Sequence, residues 1–389
     1  MQKYSLLFQL LIAFVLAFVI TSFYFSGERK FDQLALGTET IMYQAVDQNK
    51  QLIHISRINN DEQSRFVNAY NKRGKKKVIL FFGNSQTHSI NQKKDSEVNF
   101  IQILYDRFQK DSTEILCHSL PNANLQEFCL SYFYWKDKLK LKSIVLPVFF
   151  DDLREDGIRD VFFPALVSRH FLLKDSTTKV SKKINTELEN YWPSAIVNST
   201  PKKETGSAIQ TTKPAEIRKT TQEQVENKLN GWLEKNVKIW NNRENVRGDF
   251  FVWIYQLRNT ILRIHANTVR KMIPQRYEDN MEALTLLLND CIKSKIKVLL
   301  YIPPIRSDAS LPYDYSSYTA FKATLKNISL ANDHQVFFCD YGPIIPGYLW
   351  GYKGSTNLLE KREIDYMHFK YKGHQILADS LFNQLKYIQ

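Results

Sequence analysis

The chain has 389 residues, 43% of them hydrophobic and 13% aromatic, which is enough to bury a substantial core and excludes a disordered protein. Its formal net charge of +13 favours an anionic partner, either lipid headgroups or an acidic glycopolymer. Nucleic acid is disfavoured, because the basic residues are scattered or lie in a polar segment and no nucleic-acid-binding motif accompanies them.

The first element is "LLFQLLIAFVLAFVITSFYF", Leu6 to Phe25, twenty residues without a charge. That run is long enough to cross a hydrocarbon layer of roughly 30 Å. It is long for a signal-peptide core and no small-x-small cleavage site follows, so residues 1–26 are expected to form an uncleaved transmembrane anchor. Lys3 lies on one side of it and Arg29 and Lys30 on the other, so charge alone does not orient the span. Residues 27–76 are mixed and polar, end in "NKRGKKK", and read as a linker with a short helix.

From residue 77 short apolar runs alternate with helical stretches, the pattern of a doubly wound α/β sheet. The expected strands are Lys77–Phe82, Thr113–His118, Ser143–Phe150, Lys297–Ile302 and Gln335–Asp340. "EVNFIQILYDRF" and "NLQEFCLSYFYWKDKL" are expected to be helices between them. Runs buried on both faces imply mostly parallel pairing, and such sheets place their sites beyond the strand carboxyl ends.

Residues 160–293 break the alternation and form an insertion, expected to be mostly helical, whose stretch 196–224 is a polar, mobile loop. Its end, "GDFFVWIYQLRNTILRIHANTV", carries a helical apolar stripe through Phe250, Phe251, Trp253, Ile254, Leu257, Ile261, Leu262 and Ile264. Two readings stay open, a helix packed on the main sheet and a face that docks on a bilayer. Cys117, Cys129, Cys291 and Cys339 show neither CxxC nor zinc spacing and read as buried thiols, with a Cys117–Cys129 disulfide as the alternative.

Acyl transfer through serine needs a hydroxyl, a base within hydrogen-bond reach, a carboxylate to orient the base, and donors for the developing oxyanion. "VILFFGNSQTHSIN", Val78 to Asn91, supplies a hydroxyl: a strand ending in Gly83 permits a tight turn that sets Ser85 at the sheet edge, beside the N–H groups of a helix start. Serine and asparagine are also favoured helix caps, so this stretch alone fits a nucleophile or a cap. Near the C-terminus, "EIDYMHFKYKGHQILADSLFNQL" sets Asp365 and His368 three residues apart before an amphipathic final helix. That spacing can place both on one side of a loop or first turn.

With these two blocks the chain resembles the SGNH (GDSL-type) hydrolases, α/β proteins with a flavodoxin-like parallel sheet. The likeness spans about residues 77–156 and 297–389 and leaves the insertion uncovered. It implies Ser85 as nucleophile, His368 as general base and Asp365 as its partner. The family's oxyanion donors, a Gly N–H and an Asn amide, map onto "LPNANLQEF" and "LPVFFDDLRED", where this chain has Asn122, with Asn124 nearby, and Asp151 or Asp152. An ionised aspartate accepts hydrogen bonds and repels an oxyanion, so the amide comes from Asn122 or Asn124, or the hole is incomplete. Asp151 and Asp152 then bind a cationic group or substrate hydroxyls, or simply cap the strand end.

"YIPPIRSDASLPYDY" offers Arg306 as a clamp for a carboxylate or phosphate and Asp308 or Tyr313 for a sugar, against the alternative of a rigid surface loop. His88, one turn beyond Ser85, is placed to face the same pocket, and His118 reads as a hydrogen-bonded core-edge histidine. No HExxH, Walker loop or dinucleotide glycine pattern appears, so neither metal nor cofactor is expected.

Anchor, basic body and SGNH-like core together resemble the extracytoplasmic proteins that accompany membrane-bound O-acyltransferases, of the alginate O-acetylation and teichoic-acid D-alanylation type. That resemblance implies a single-pass membrane protein with its body outside the cytoplasm. It also implies an acyl donor, a surface glycopolymer acceptor and a multi-span O-acyltransferase partner. The same parts fit an anchored esterase or deacetylase, and the departures at Asn122 and Asp151–Asp152 fit a non-catalytic accessory.

Overall fold

A computed structural model describes residues 39–56, 60–109, 111–159, 166, 171–174, 177–190 and 243–388. In chain order the strands are β1 (Thr40–Met42), β2 (His54–Ile55), β3 (Lys77–Gly83), β4 (Ser89–Asn91), β5 (Thr113–Ser119), β6 (Leu141–Pro147), β7 (Lys297–Ile302), β8 (Val336–Asp340), β9 (Trp350–Gly354) and β10 (Arg362–Phe369). The helices are α1 (Asn60–Lys72), α2 (Ser85–His88), α3 (Phe100–Phe108), α4 (Leu125–Lys136), α5 (Lys179–Asn190), α6 (Arg243–Ile261), α7 (Pro274–Lys293), α8 (Tyr315–Leu330) and α9 (Tyr371–Ile388).

The described residues fall into two compact units. The larger holds the described residues within 39–190, 266–353 and 363–388; the smaller holds 243–265 and 354–362. In the larger, six strands form one sheet in the order β2-β5-β3-β6-β7-β8, every neighbour pair parallel. Without the two-residue edge strand β2 this is the flavodoxin order, whose reversal lies between β3 and β6. Val78 through Phe82 are fully buried, as a strand covered on both faces requires. Helices α3 and α9 pack together through Phe108 and Phe382, ring centroids 5.2 Å apart. Helices α4 and α7 are joined by Leu125 N–H to Asn280 Oδ1 at 3.0 Å and by Tyr132 O–H to Asp290 at 2.7 Å.

Several expectations need correction. The stretch read as linker and short helix contributes β1, β2 and α1, and it buries Ala45, Leu52, Ile53, Ile55, Phe66 and Tyr70 in the core. β6 starts at Leu141 and stops at Pro147, because the Ser143–Phe150 run marks where burial continues rather than where the ladder does. All four cysteines are free thiols, so no Cys117–Cys129 bridge forms. In the smaller unit α6 is tied to the 354–362 segment by Gln256 to Ser355 O (3.0 Å) and Asn259 to Thr356 O (2.9 Å). Its apolar stripe is not buried where its side chains are described: Leu257 and Ile264 are half-buried, whereas Trp253 and Ile254 are exposed, as are Ile261 (70%) and Leu262 (60%).

Among the described residues no helix is long and apolar enough to cross a membrane. The expected anchor at 1–26 and the expected loop at 196–224 lie outside the described residues.

Gly83 ends β3 at the point where the chain turns into α2, and a Cβ there would fall inside the buried Thr87 side chain. Gly83→Ala is therefore expected to destabilise the fold by about 1–3 kcal/mol, as overpacking does. The urea midpoint of the variant against the parent checks this.

Candidate active site

The site is built at the carboxyl ends of β3 and β6, on either side of the reversal in strand order. Ser85 opens α2, but it is not the cap. Asn84 holds that position in extended backbone, and its Oδ1 accepts the Gln86 N–H at 3.0 Å. With the cap supplied by its neighbour, the Ser85 hydroxyl is free for another partner. It meets His368 Nε2 at 3.0 Å.

His368 lies on β10, where the sequence suggested a loop or first turn. In a regular strand residues three apart face opposite sides. Here Asp365 Oδ1 accepts the N–H groups of Met367 (2.8 Å) and His368 (3.0 Å), folding the backbone around the carboxylate. Its other oxygen then reaches His368 Nδ1 at 2.9 Å. Asp365 is fully buried, Ser85 is 8% exposed and His368 5%. Burial alone would raise the Asp365 pKa, but His368 beside it, with Lys353 and the Met367 N–H, holds it below the usual carboxylate range. An ionised Asp365 keeps the His368 proton on Nδ1, which leaves Nε2 as the acceptor for Ser85 O–H.

Sequence reasoning missed Gln86. Its amide donates to the carbonyls of Pro304 (2.8 Å) and Met367 (2.7 Å), tying the Ser85 turn to the loop after β7 and to the strand between Asp365 and His368. A glutamine after a serine carries no local signal for this, since both acceptors are backbone atoms more than two hundred residues away.

The expected oxyanion and substrate residues are placed differently from one another. Asn122 sits in a turn with φ +53°, a left-handed conformation that asparagine tolerates, and its side chain is exposed. Asn124 caps α4: its Oδ1 accepts Glu127 N–H (3.0 Å) and its amide donates to Gly157 O (3.0 Å). No described contact brings either asparagine to Ser85. Arg306 does not present an open clamp, because it grips Asp308 through two bonds (2.7 and 3.1 Å) and Gly351 O at 2.8 Å. Asp151 is paired with Arg270 and accepts the buried Tyr313 O–H at 3.0 Å.

Asp152 does approach the Ser85 turn. Its Oδ2 accepts the Asn84 amide at 3.1 Å, and the residue is buried. Burial, with the neighbouring charge of Asp151, pushes its carboxyl well above the usual range, only partly opposed by the Asn84 hydrogen bond and Arg159. Such a group favours the neutral acid, which donates through O–H. The objection that an aspartate here must repel an oxyanion applies only to the ionised form.

No protein-family model matches the sequence, and no curated protein matches it. Among solved structures, it is similar to a protein assigned as an acylhydrolase from Bacteroides fragilis, with TM-score 0.35 and 12% identity over 84% of this chain and 98% of that one. It is also similar to a point variant of an acetyl-xylooligosaccharide esterase from Geobacillus, with TM-score 0.35 and 11% identity over 81% and 96%. At such scores the chemistry of the site is read from its own side chains.

Four more histidines are buried around the site: His54, His88, His118 and His374. His118 accepts the Trp135 indole N–H at 3.0 Å, and His374 bonds Ser89 O at 3.1 Å. Burial pushes His54, His118 and His374 down from 6.5 to about 3. Folded, each stays neutral until about pH 3; unfolded, each takes a proton near 6.5. The unfolded state thus binds more protons in that window, and stability is lost as pH falls through it, by about 1.4 kcal/mol per pH unit for each histidine. Urea midpoints measured at about pH 7 and about pH 5 are expected to show this loss, larger than carboxylates alone would give.

Proposed function

We propose that this protein is a serine acyl-transfer enzyme that opens an O-acyl ester through an acyl-enzyme on Ser85. The observation that carries this reading is the continuous relay from Ser85 Oγ to His368 Nε2 (3.0 Å) and from His368 Nδ1 to Asp365 (2.9 Å), at the carboxyl end of a parallel sheet. Ser85 Oγ attacks the acyl carbon while its proton passes to His368 Nε2. The ester C–O bond then breaks, and the imidazolium returns the proton to the leaving alkoxide. A water or sugar hydroxyl next gives its proton to His368 and attacks the acyl carbon, releasing acid or a new ester and restoring Ser85. Asp365, ionised throughout, stabilises the imidazolium. In this reading neutral Asp152, held next to the Ser85 turn by Asn84, offers an O–H donor to the oxyanion in place of an amide.

The acceptor follows from the rest of the chain. The uncharged run Leu6–Phe25 and the net charge of +13 support a membrane-held enzyme with its body outside the cytoplasm, working on an acidic surface glycopolymer beside a multi-span O-acyltransferase. An esterase with water as acceptor uses the same relay. The assembled relay favours either over a non-catalytic accessory.

A fluorophosphonate probe is expected to label Ser85 in the folded protein and to leave Ser85→Ala unlabelled. Hydrolysis of a chromogenic acyl ester is expected to fall about 10³–10⁴-fold in Ser85→Ala and His368→Ala. A folded parent that neither labels nor hydrolyses would overturn the reading. With an acyl donor and an acidic oligosaccharide both supplied, mass spectrometry of the sugar separates transfer from hydrolysis.

Asp152→Asn, which supplies a neutral donor of the same shape, is expected to keep most of the esterase rate. Asp152→Ala is expected to lose about 10²-fold in kcat. Equal losses in the two variants would remove the donor role.

A further inference from the structure

Helix α2 has one turn, and a helix that short does not hold itself. Its start is fixed by Asn84 and Gln86. Its end is fixed by His88, whose backbone carbonyl accepts Tyr43 N–H at 2.6 Å. The His88 side chain does not face the pocket, as the sequence suggested; Nδ1 meets Ser119 Oγ at 2.6 Å, and both residues are fully buried. Ser119 is the last residue of β5, in register with Gly83, immediately beside the turn. The same Oγ meets Nε2 of fully buried His54, on edge strand β2, at 2.7 Å.

A serine hydroxyl has one proton and two lone pairs, so at most one of the two ring nitrogens accepts from it and at least one donates to it. His88 Nε2 is buried with no described hydrogen-bond partner, so the ring proton of His88 is satisfied only on Nδ1. Ser119 Oγ must then accept from His88 Nδ1–H. His88 thus donates to Ser119, which also meets His54, and the Tyr43 N–H holds the His88 carbonyl at the end of the same turn.

We propose that Ser119, with His54 and His88, is a positioning residue for the nucleophile: this buried hydrogen-bonded cluster clamps the end of the one-turn helix and so sets the Ser85 hydroxyl within reach of His368. The proposal rests on Ser85 acting as the nucleophile. It gives three fully buried polar side chains a role in the rate. A misplacement of about 1 Å at a reacting atom is enough to cost on the order of 10²-fold.

The test uses the full chain. Ser119→Ala is expected to lower kcat for a chromogenic acyl ester about 10- to 100-fold with KM unchanged. His88→Asn, which keeps a donor near the Nδ1 position, is expected to retain most of the rate, and His88→Leu to lose it. Nitrogen-15 imidazole spectra of the parent, labelled at histidine, are expected to show His88 as a neutral Nδ1–H tautomer, a readout that needs no activity. An active parent with unchanged kcat in folded Ser119→Ala overturns the proposal, as does a His88 proton found on Nε2. If Ser119→Ala does not fold, the His88 pair and the spectra decide. A parent that shows the His88 tautomer but neither labels nor hydrolyses refutes the nucleophile reading and leaves the hydrogen-bonded cluster itself established.

Discussion

The four-residue helix Ser85–His88 forms too few internal hydrogen bonds to persist alone, so its position is dictated by what surrounds it. Asn84 caps it, Gln86 ties it to Pro304 and Met367, and His88 closes its end. These anchors come from the loop after β7, from β10 and from β5, elements scattered over the larger unit. The parallel sheet makes the arrangement possible, since strands running the same way deliver their following turns to one edge. The consequence is a serine whose hydroxyl is excused from capping and whose backbone has little freedom to drift.

Asn84 links this mechanical role to electrostatics. Its carbonyl oxygen stabilises the helix start while its amide reaches Asp152 on the far side of the strand-order reversal. Side-chain amides suit such a bridge because they carry donor and acceptor on one rigid plane. A serine or aspartate cap would satisfy Gln86 N–H equally well but would offer no comparable donor to a neutral Asp152.

Much of this was legible in the sequence, and the losses have physical causes. β3, β5 and β7 were readable because strands buried on both faces need long unbroken apolar runs. β2 was not, because a two-residue strand has no periodicity, and its pairing is set by Cys117 and His118 more than sixty residues away. Ser85, Asp365 and His368 were readable as residue types at a spacing. The strand beneath Asp365 was not, since the bend that brings it to His368 depends on side-chain-to-backbone bonds. Asn124 and Arg306 misled for a shared reason: an amide or guanidinium advertises donors, but only the fold shows where they are already committed.

The two adjacent aspartates show the same limit most sharply. On the page "DD" is one feature with one charge state. In the fold Asp151 meets the Arg270 guanidinium and the Tyr313 hydroxyl, and it keeps partial access to solvent. Asp152 turns inward to an amide, with no cation among its described hydrogen-bond partners. Charge on Asp151 then makes charge on Asp152 harder to hold, since like charges in a poorly screened site cannot both be solvated. Two identical side chains one residue apart thereby sit in opposite settings, one anchoring a cation at the rim and the other buried beside the Ser85 turn, its carboxyl pushed well above the usual range.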